Sequence, residues 1–217
     1  MRIREFQLER YFAKYEFHVK YMLSPSDCEP LGLAELLGMA DRECRALWDT
    51  LRLSYTEPYG HPALLAEIAG LYRHLSGEMV VTAAPEEAIL LSFTALLEPG
   101  DHVVAVAPAY QSLHELPKAL GCEVTPWFLR VRDGRWTLDT DELQRLFRPE
   151  TKVLVLNFPH NPTGFLPTAE EFMTVLDQAA RRGVFVLSDE MYRGLAHRTS
   201  DTLPAACDFL PRAASLS

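Results

Sequence analysis

The sequence predicts an α/β fold of three layers, in which helices cover both faces of a mostly parallel sheet. Three observations support it. Short apolar runs recur at 103–106, 124–128, 153–156 and 184–187. The first three are followed by stretches with the three-to-four-residue periodicity of amphipathic helices. The runs are near-continuous rather than alternating, the pattern of strands buried on both faces.

Residues 1–30 form an arm rich in aromatic and charged side chains, ending at the turn-like Ser24-Pro25-Ser26-Asp27. From 31 to about 51, Leu33, Leu36, Leu37, Ala40, Cys44, Leu47 and Trp48 recur at helical spacing and predict one helix. Tyr55-Thr56-Glu57-Pro58-Tyr59-Gly60 reads as a loop by its proline and glycine. A helix over 64–75 and a short strand over 79–82 follow. Pro85 opens the next helix at its first turn, where the missing N–H costs nothing, and Glu86 and Glu87 suit the positive end of the helix dipole. That helix stops at Pro99-Gly100. Beyond the strand at 103–106 come a helix over 111–120 ended by Gly121, a strand over 124–128 and a helix over 138–147. The last elements are a strand over 153–156, a helix from the cap Thr168 to the stop Gly183, and a strand over 184–187.

Composition narrows the function classes. The 217 residues carry a net charge of -9 and no Lys/Arg run, so the basic face of a nucleic-acid binder is missing. Cys28, Cys44, Cys122 and Cys207 include no C-x-x-C pair, which argues against a zinc site or disulfide framework and for free thiols in a reducing compartment. No metal site is expected. The N-terminus lacks the apolar stretch of a signal peptide, and no apolar run approaches the ~18 residues that span a bilayer. A soluble, cytoplasmic protein is the expectation.

Ligands of such folds bind beyond the carboxyl ends of the strands. Three segments stand there. Pro108-Ala109-Tyr110 follows the 103–106 strand and places an aromatic on the rim. Asn157-Phe158-Pro159-His160-Asn161-Pro162-Thr163-Gly164 follows the 153–156 strand, and its prolines and glycine hold the planar amide of Asn161 on a tight backbone. Ser188-Asp189-Glu190-Met191-Tyr192 closes the 184–187 strand, and a carboxylate at a buried strand end is costly unless paired or hydrogen-bonded. Taken singly, these segments are equally an ordinary rim tyrosine, an Asn-Pro turn and a helix N-cap. The sequence argues against a dinucleotide fold, because Val81-Thr82-Ala83-Ala84-Pro85 stands where a G-x-G-x-x-G would follow the first strand.

Taken together, Asn161-Pro162-Thr163-Gly164 and Asp189-Glu190-Met191-Tyr192, in order and one strand–helix unit apart, resemble the fold-type-I pyridoxal-phosphate (PLP) enzymes of the class I/II, aspartate-aminotransferase-like family. The resemblance runs from about Tyr55 to the end of the chain. It implies the large domain of that fold over 49–217, incomplete at its C-terminus, and an arm with part of the small domain over 1–48. It further implies the cofactor pyridoxal 5'-phosphate, amino acid and 2-oxo acid substrates, and a homodimer with shared active sites.

Residue roles carry over by motif. Asp189 matches the residue holding the pyridine nitrogen, which keeps the ring an electron sink. Asn161 and Tyr192 match the donors to the ring's phenolic oxygen, and Tyr110 matches the stacking aromatic. Ala84, Pro85 and Glu86 occupy the phosphate-cup turn at a helix N-terminus. They depart from the common Gly or Ser there, since Pro85 offers no N–H and Glu86 brings a like charge. Tyr55 matches the tyrosine reaching the phosphate in the neighbouring subunit. Ser26 and Asp27 stand where relatives run a substrate-facing loop.

Lys14, Lys20, Lys118 and Lys152 lack the context of the family's Schiff-base lysine, which is expected just after Ser217. The expected activity is transfer of an amino group between an α-amino acid and a 2-oxo acid. The alternatives are a same-fold lyase, decarboxylase or cyclase, or a lysine-less non-catalytic fragment.

Overall fold

The computed structural model describes residues 2–75 and 77–217. The chain divides into two compact units, Gln7–Pro58 and a larger one formed by Met1–Phe6 with Tyr59–Ser217. In the smaller unit, α1 (Gln7–Tyr15), α2 (Leu33–Gly38) and α3 (Arg42–Asp49) contain no buried residue. The single helix expected over 31–51 is therefore two. The break has a local cause: the Asp41 carboxylate accepts the Cys44 N–H at 2.7 Å and caps a new helix.

The larger unit is built on a five-stranded parallel sheet in the order β2-β1-β5-β6-β7. Its strands are β1 (His102–Ala107), β2 (Glu123–Phe128), β5 (Thr151–Asn157), β6 (Phe185–Asp189) and β7 (Ala213–Leu216). Its helices are α4 (Pro62–Ala69), α5 (Pro85–Leu96), α6 (Ser112–Ala119), α7 (Thr140–Leu146) and α8 (Ala169–Arg182). Alternate residues of one strand feed two different cores. Val103 and Ala105 of β1 pack with Ile89 and Phe93 of α5 and with Leu113 and Leu116 of α6. Val104 and Val106 pack on the opposite face with Leu143 of α7 and with Phe172, Val175 and Leu176 of α8. With side chains of a strand pointing alternately to opposite faces, this places helices on both sides of the sheet, as the apolar runs predict.

α8 illustrates how local chemistry sets the limits of an element. The Thr168 hydroxyl accepts the Glu171 N–H at 3.1 Å, while the Glu171 carboxylate accepts the Thr168 N–H at 2.7 Å. Gly183 ends the helix in the left-handed region at φ 66.

Other elements also differ from expectation. The helix expected over 64–75 spans Pro62–Ala69, opened by Pro62 and ended at Gly70. Residues 79–82 are not a strand; the Val81 N–H goes to the Tyr59 carbonyl at 2.7 Å, and the edges of the sheet are β2 and β7. An unanticipated hairpin, β3 (Arg130–Arg132) and β4 (Arg135–Thr137), precedes α7. Its turn is Asp133-Gly134, both at positive φ (50 and 73), a two-residue connection that Asp-Gly favours.

β1 lies between β2 and β5, so the chain moves one way across the sheet from β1 to β2 and the other way from β5 through β6 to β7. Open α/β sheets bind ligands at such a reversal, outside the carboxyl ends of the strands, here those of β1 and β5.

Candidate active site

Three adjacent strands end in the three segments singled out above. Asn157, the last residue of β5, is in register with Asp189, the last residue of β6. The Asn157 side chain, buried, stitches the two ends together. Its Nδ2 donates to the Asp189 carbonyl at 3.3 Å, and its Oδ1 accepts the Asn161 N–H at 2.9 Å. Asn161 is thereby fixed relative to Asp189 through a side chain to which sequence reasoning gave no role. An asparagine closing an otherwise apolar strand was the signal.

The Asn161 Nδ2 in turn donates to the Tyr192 hydroxyl at 3.4 Å. The two donors expected to share one ligand oxygen therefore lie side by side.

Asp189 is 6% exposed. Burial pushes its carboxyl up to about 6; the Met191 N–H pulls it down, and the negative charges of Glu86 and Glu190 push it further up. The hydrogen bond from the Met191 N–H is 3.3 Å long. A buried carboxylate with acidic neighbours is complementary to a cationic N–H, and a protonated pyridine nitrogen is such a group. The polar groups at these strand ends thus fit pyridoxal phosphate.

Glu190, the next residue, is held quite differently. Burial raises its carboxyl, against hydrogen bonds from the Ala206 N–H at 2.9 Å and the Ser215 hydroxyl at 2.8 Å. Arg193 Nε lies 3.4 Å from its second oxygen. The same guanidinium donates to the Leu71 carbonyl at 3.1 Å and sits 4.5 Å over the Tyr72 ring. Arg193 therefore neutralises Glu190 and leaves Asp189 as the carboxylate in want of a cation. Neither residue was assigned a role from sequence.

His160 is 2% exposed, and its ring lies 6.2 Å from that of Phe158. Its Nδ1 meets the Thr163 hydroxyl at 2.8 Å, which braces the turn that carries Asn161. Burial holds the imidazole below the usual histidine range.

At the phosphate-cup turn, Ala84 precedes α5 and Pro85 is its first residue. The Glu87 N–H is taken by the Ala84 carbonyl at 3.1 Å, and the Glu87 carboxylate accepts the Ala83 N–H at 2.7 Å. Glu86 does not point away: its carboxylate accepts the Ser112 hydroxyl at 3.1 Å and acts on Asp189. Tyr110 ends the loop after β1 and packs against Phe6.

Tyr55, Ser26 and Asp27 belong to the Gln7–Pro58 unit, and all three are exposed. Lys118 pairs with Glu115 at 2.8 Å, and Lys152 lies at the start of β5, at the other end of the strand from Asn157. Among the described residues, no group of three or more His, Cys, Asp or Glu is placed to hold a metal ion. No described helix is long and apolar enough to cross a membrane.

The chain is similar to human kynurenine–oxoglutarate transaminase 3, with 30% identity over 169 residues, covering 70% of this chain and 37% of that enzyme. It thus spans little more than a third of that relative's length. A PLP-dependent aminotransferase from Streptococcus suis superposes with a TM-score of 0.85 at 28% identity, covering 99% of this chain and 57% of that one. A PLP-dependent cyclase, OrfR, superposes with a TM-score of 0.79 at 28% identity, covering 99% of this chain and 56% of that one. The sequence model of aminotransferase class I and II matches residues 36–214, and with the strand-end geometry this places the chain in that family of PLP-dependent transferases.

Proposed function

We propose that this chain forms the cofactor-holding part of a PLP-dependent aminotransferase that moves an amino group between an α-amino acid and a 2-oxo acid. The observation that carries the proposal is the buried Asp189 carboxylate at the end of β6, raised to about 6, together with the Asn161–Tyr192 pair, 3.4 Å apart, on the loops after β5 and β6. When bound, pyridoxal phosphate supplies an electron sink for negative charge developing at a substrate carbon. Asp189 would hold a proton at the ring nitrogen. Asn161 and Tyr192 would donate to the phenolic oxygen. Tyr110 would cover a ring face, and Ala84, Pro85 and Glu86 at the N-terminal end of α5 would stand by the phosphate.

A homodimer in the cytoplasm accompanies this reading. Tyr55 is fully exposed, as suits a side chain reaching a neighbouring subunit, and the four cysteines are free. Ser26 and Asp27 are read as substrate-facing.

A second reading, a cyclase or lyase on the same cofactor grip, is favoured by the likeness to OrfR. The two are separated by incubating the full-length protein with a ¹⁵N-labelled amino acid mixture and a panel of 2-oxo acids. Label appearing in new amino acids supports transfer. Consumption of an amino acid with no labelled product amino acid sinks it in favour of the second reading.

A further inference from the structure

Residues 4–6 lie along the first turn of α6 and the loop that leads into it, through three contacts of different kinds. Arg4 Nε stands 3.6 Å from Glu115 Oε2. Gln111 Nε2 donates to the Glu5 carbonyl at 2.9 Å. The Phe6 ring packs on Tyr110 with centroids 4.9 Å apart and planes inclined by 53°. The pairing order 4 to 115, 5 to 111 and 6 to 110 runs the strap back along the helix, so that it ends on Tyr110.

The Arg4 contact is anchored on a carboxylate that stays ionised. Glu115 is held below the usual carboxylate range, first by the Lys118 hydrogen bond, with Arg4 and His114 adding to it against burial. Arg4 itself is largely exposed, so its ion pair holds weakly. Phe6 is the half-buried member of a strap whose residues 2–5 are exposed. The strap therefore closes on the aromatic contact.

Tyr110 is half-buried and packs against the core cluster of Ile89, Phe93 and Leu113 as well as against Phe6. It stands beyond the end of β1, on a loop rather than in the ladder. A ring that stacks on a flat ligand gains only in a narrow range of orientations, and ordering a loose side chain on binding subtracts from affinity. We propose that Phe6 is a positioning residue for Tyr110, bracing one side of the phenol ring so that the other is presented to the cofactor ring. This rests on the reading that Tyr110 stacks on pyridoxal phosphate.

The test titrates full-length wild type, Phe6→Ala and Phe6→Tyr with pyridoxal phosphate, read by the visible circular dichroism of the bound cofactor. Phe6→Ala is expected to raise the apparent Kd about three- to tenfold and to diminish the dichroic band, while Phe6→Tyr retains both. Should Phe6→Ala not fold, Phe6→Leu, with apolar bulk but no ring, takes its place in the same comparison. Unchanged Kd and dichroism in the ring-less variant overturn the brace. Tighter binding also overturns it, because the strap would then be occluding the site. A wild type that binds no pyridoxal phosphate sinks the cofactor reading and the brace together, whereas a failure confined to the variants sinks the brace alone.

Discussion

Asn161 and Tyr192 come from loops after different strands and meet at 3.4 Å, the amide nitrogen donating to the phenol oxygen. Groups in one hydrogen-bonded unit do not contribute independently. Asn161→Ala and Tyr192→Phe should each weaken binding of pyridoxal phosphate, and the double variant should lose less than the two losses added, by about 0.5–1.5 kcal/mol. Fluorescence titration of the four proteins measures the coupling. Strict additivity would mean that the pair does not act on one oxygen.

Asp189 makes the cofactor-free protein sensitive to pH. Its folded carboxyl titrates at about 6, above the unfolded value of 3.8. Between those values the folded state binds more protons, so stability falls as pH rises through the window. Asp189→Asn should leave stability near pH 4 little changed and raise it near neutrality by up to about 3 kcal/mol, from the 1.36 kcal/mol carried by each pKa unit. Urea unfolding of the cofactor-free proteins at the two pH values decides it. A variant no more stable than wild type near neutrality would contradict the buried, cation-less carboxylate. The same variant should bind pyridoxal phosphate far more weakly.

Arg193 is expected to be a stability residue whose partner determines its cost. Removing it in Arg193→Met strands the Glu190 carboxylate, 2% exposed, without its cation. A loss of about 3–5 kcal/mol is expected, as for other broken buried pairs. Glu190→Gln combined with Arg193→Met should recover part of that loss. Thermal unfolding of wild type, single and double variants checks this, and a double variant worse than the single would show that the cost comes from the lost Leu71 and Tyr72 contacts.

At the opposite end of the sheet, His102 is 2% exposed between two hydroxyls, Thr151 at 2.7 Å and Thr125 at 2.8 Å. Burial holds its imidazole below the usual histidine value, with nearby Arg148 adding to the effect against Glu123 and Glu150. The unfolded chain then takes up the proton more readily, so stability is full above about pH 6.5 and is lost as pH falls below it. His102→Gln should flatten this acid limb of the urea midpoint between about pH 7 and pH 5. A limb equally steep in the variant would assign the acid sensitivity elsewhere.

Elements whose limits are local were legible in the sequence. The Thr168–Glu171 capping box and Gly183 define α8, and Pro85 opens α5. Elements that depend on distant partners were not. Residues 79–82 have strand-like composition but no neighbouring strand, and composition cannot supply one. The Arg130–Thr137 hairpin was overlooked because each arm is three residues long, although Asp133-Gly134 advertised it. Asp41 divided an apparently continuous helix because its cap competes with the apolar period that spans it.

The site divides in the same way. Asn161, Asp189, Tyr192 and Tyr110 stand out because they follow apolar runs. The Asn157 stitch and the Arg193 clamp on Leu71 and Tyr72 join residues 32 and about 120 positions apart, and no spacing rule reports such pairs. The hydrogen bond that the Glu86 carboxylate accepts from the buried Ser112 hydroxyl, 26 positions away, is another pair of this kind.

The segments that bear Tyr110, Asn161 and Asp189 hang from three neighbouring strands, β1, β5 and β6, in one parallel ladder. Neighbouring strands in such a ladder keep a spacing of about 4.8 Å whatever their loops do. On the proposed reading the grip on the cofactor is thus a property of the backbone lattice, and the chemistry at its open side is free to diverge. A fold arranged this way can exchange rim loops, change what it does to its substrate, and leave the relative placement of its three anchors unaltered.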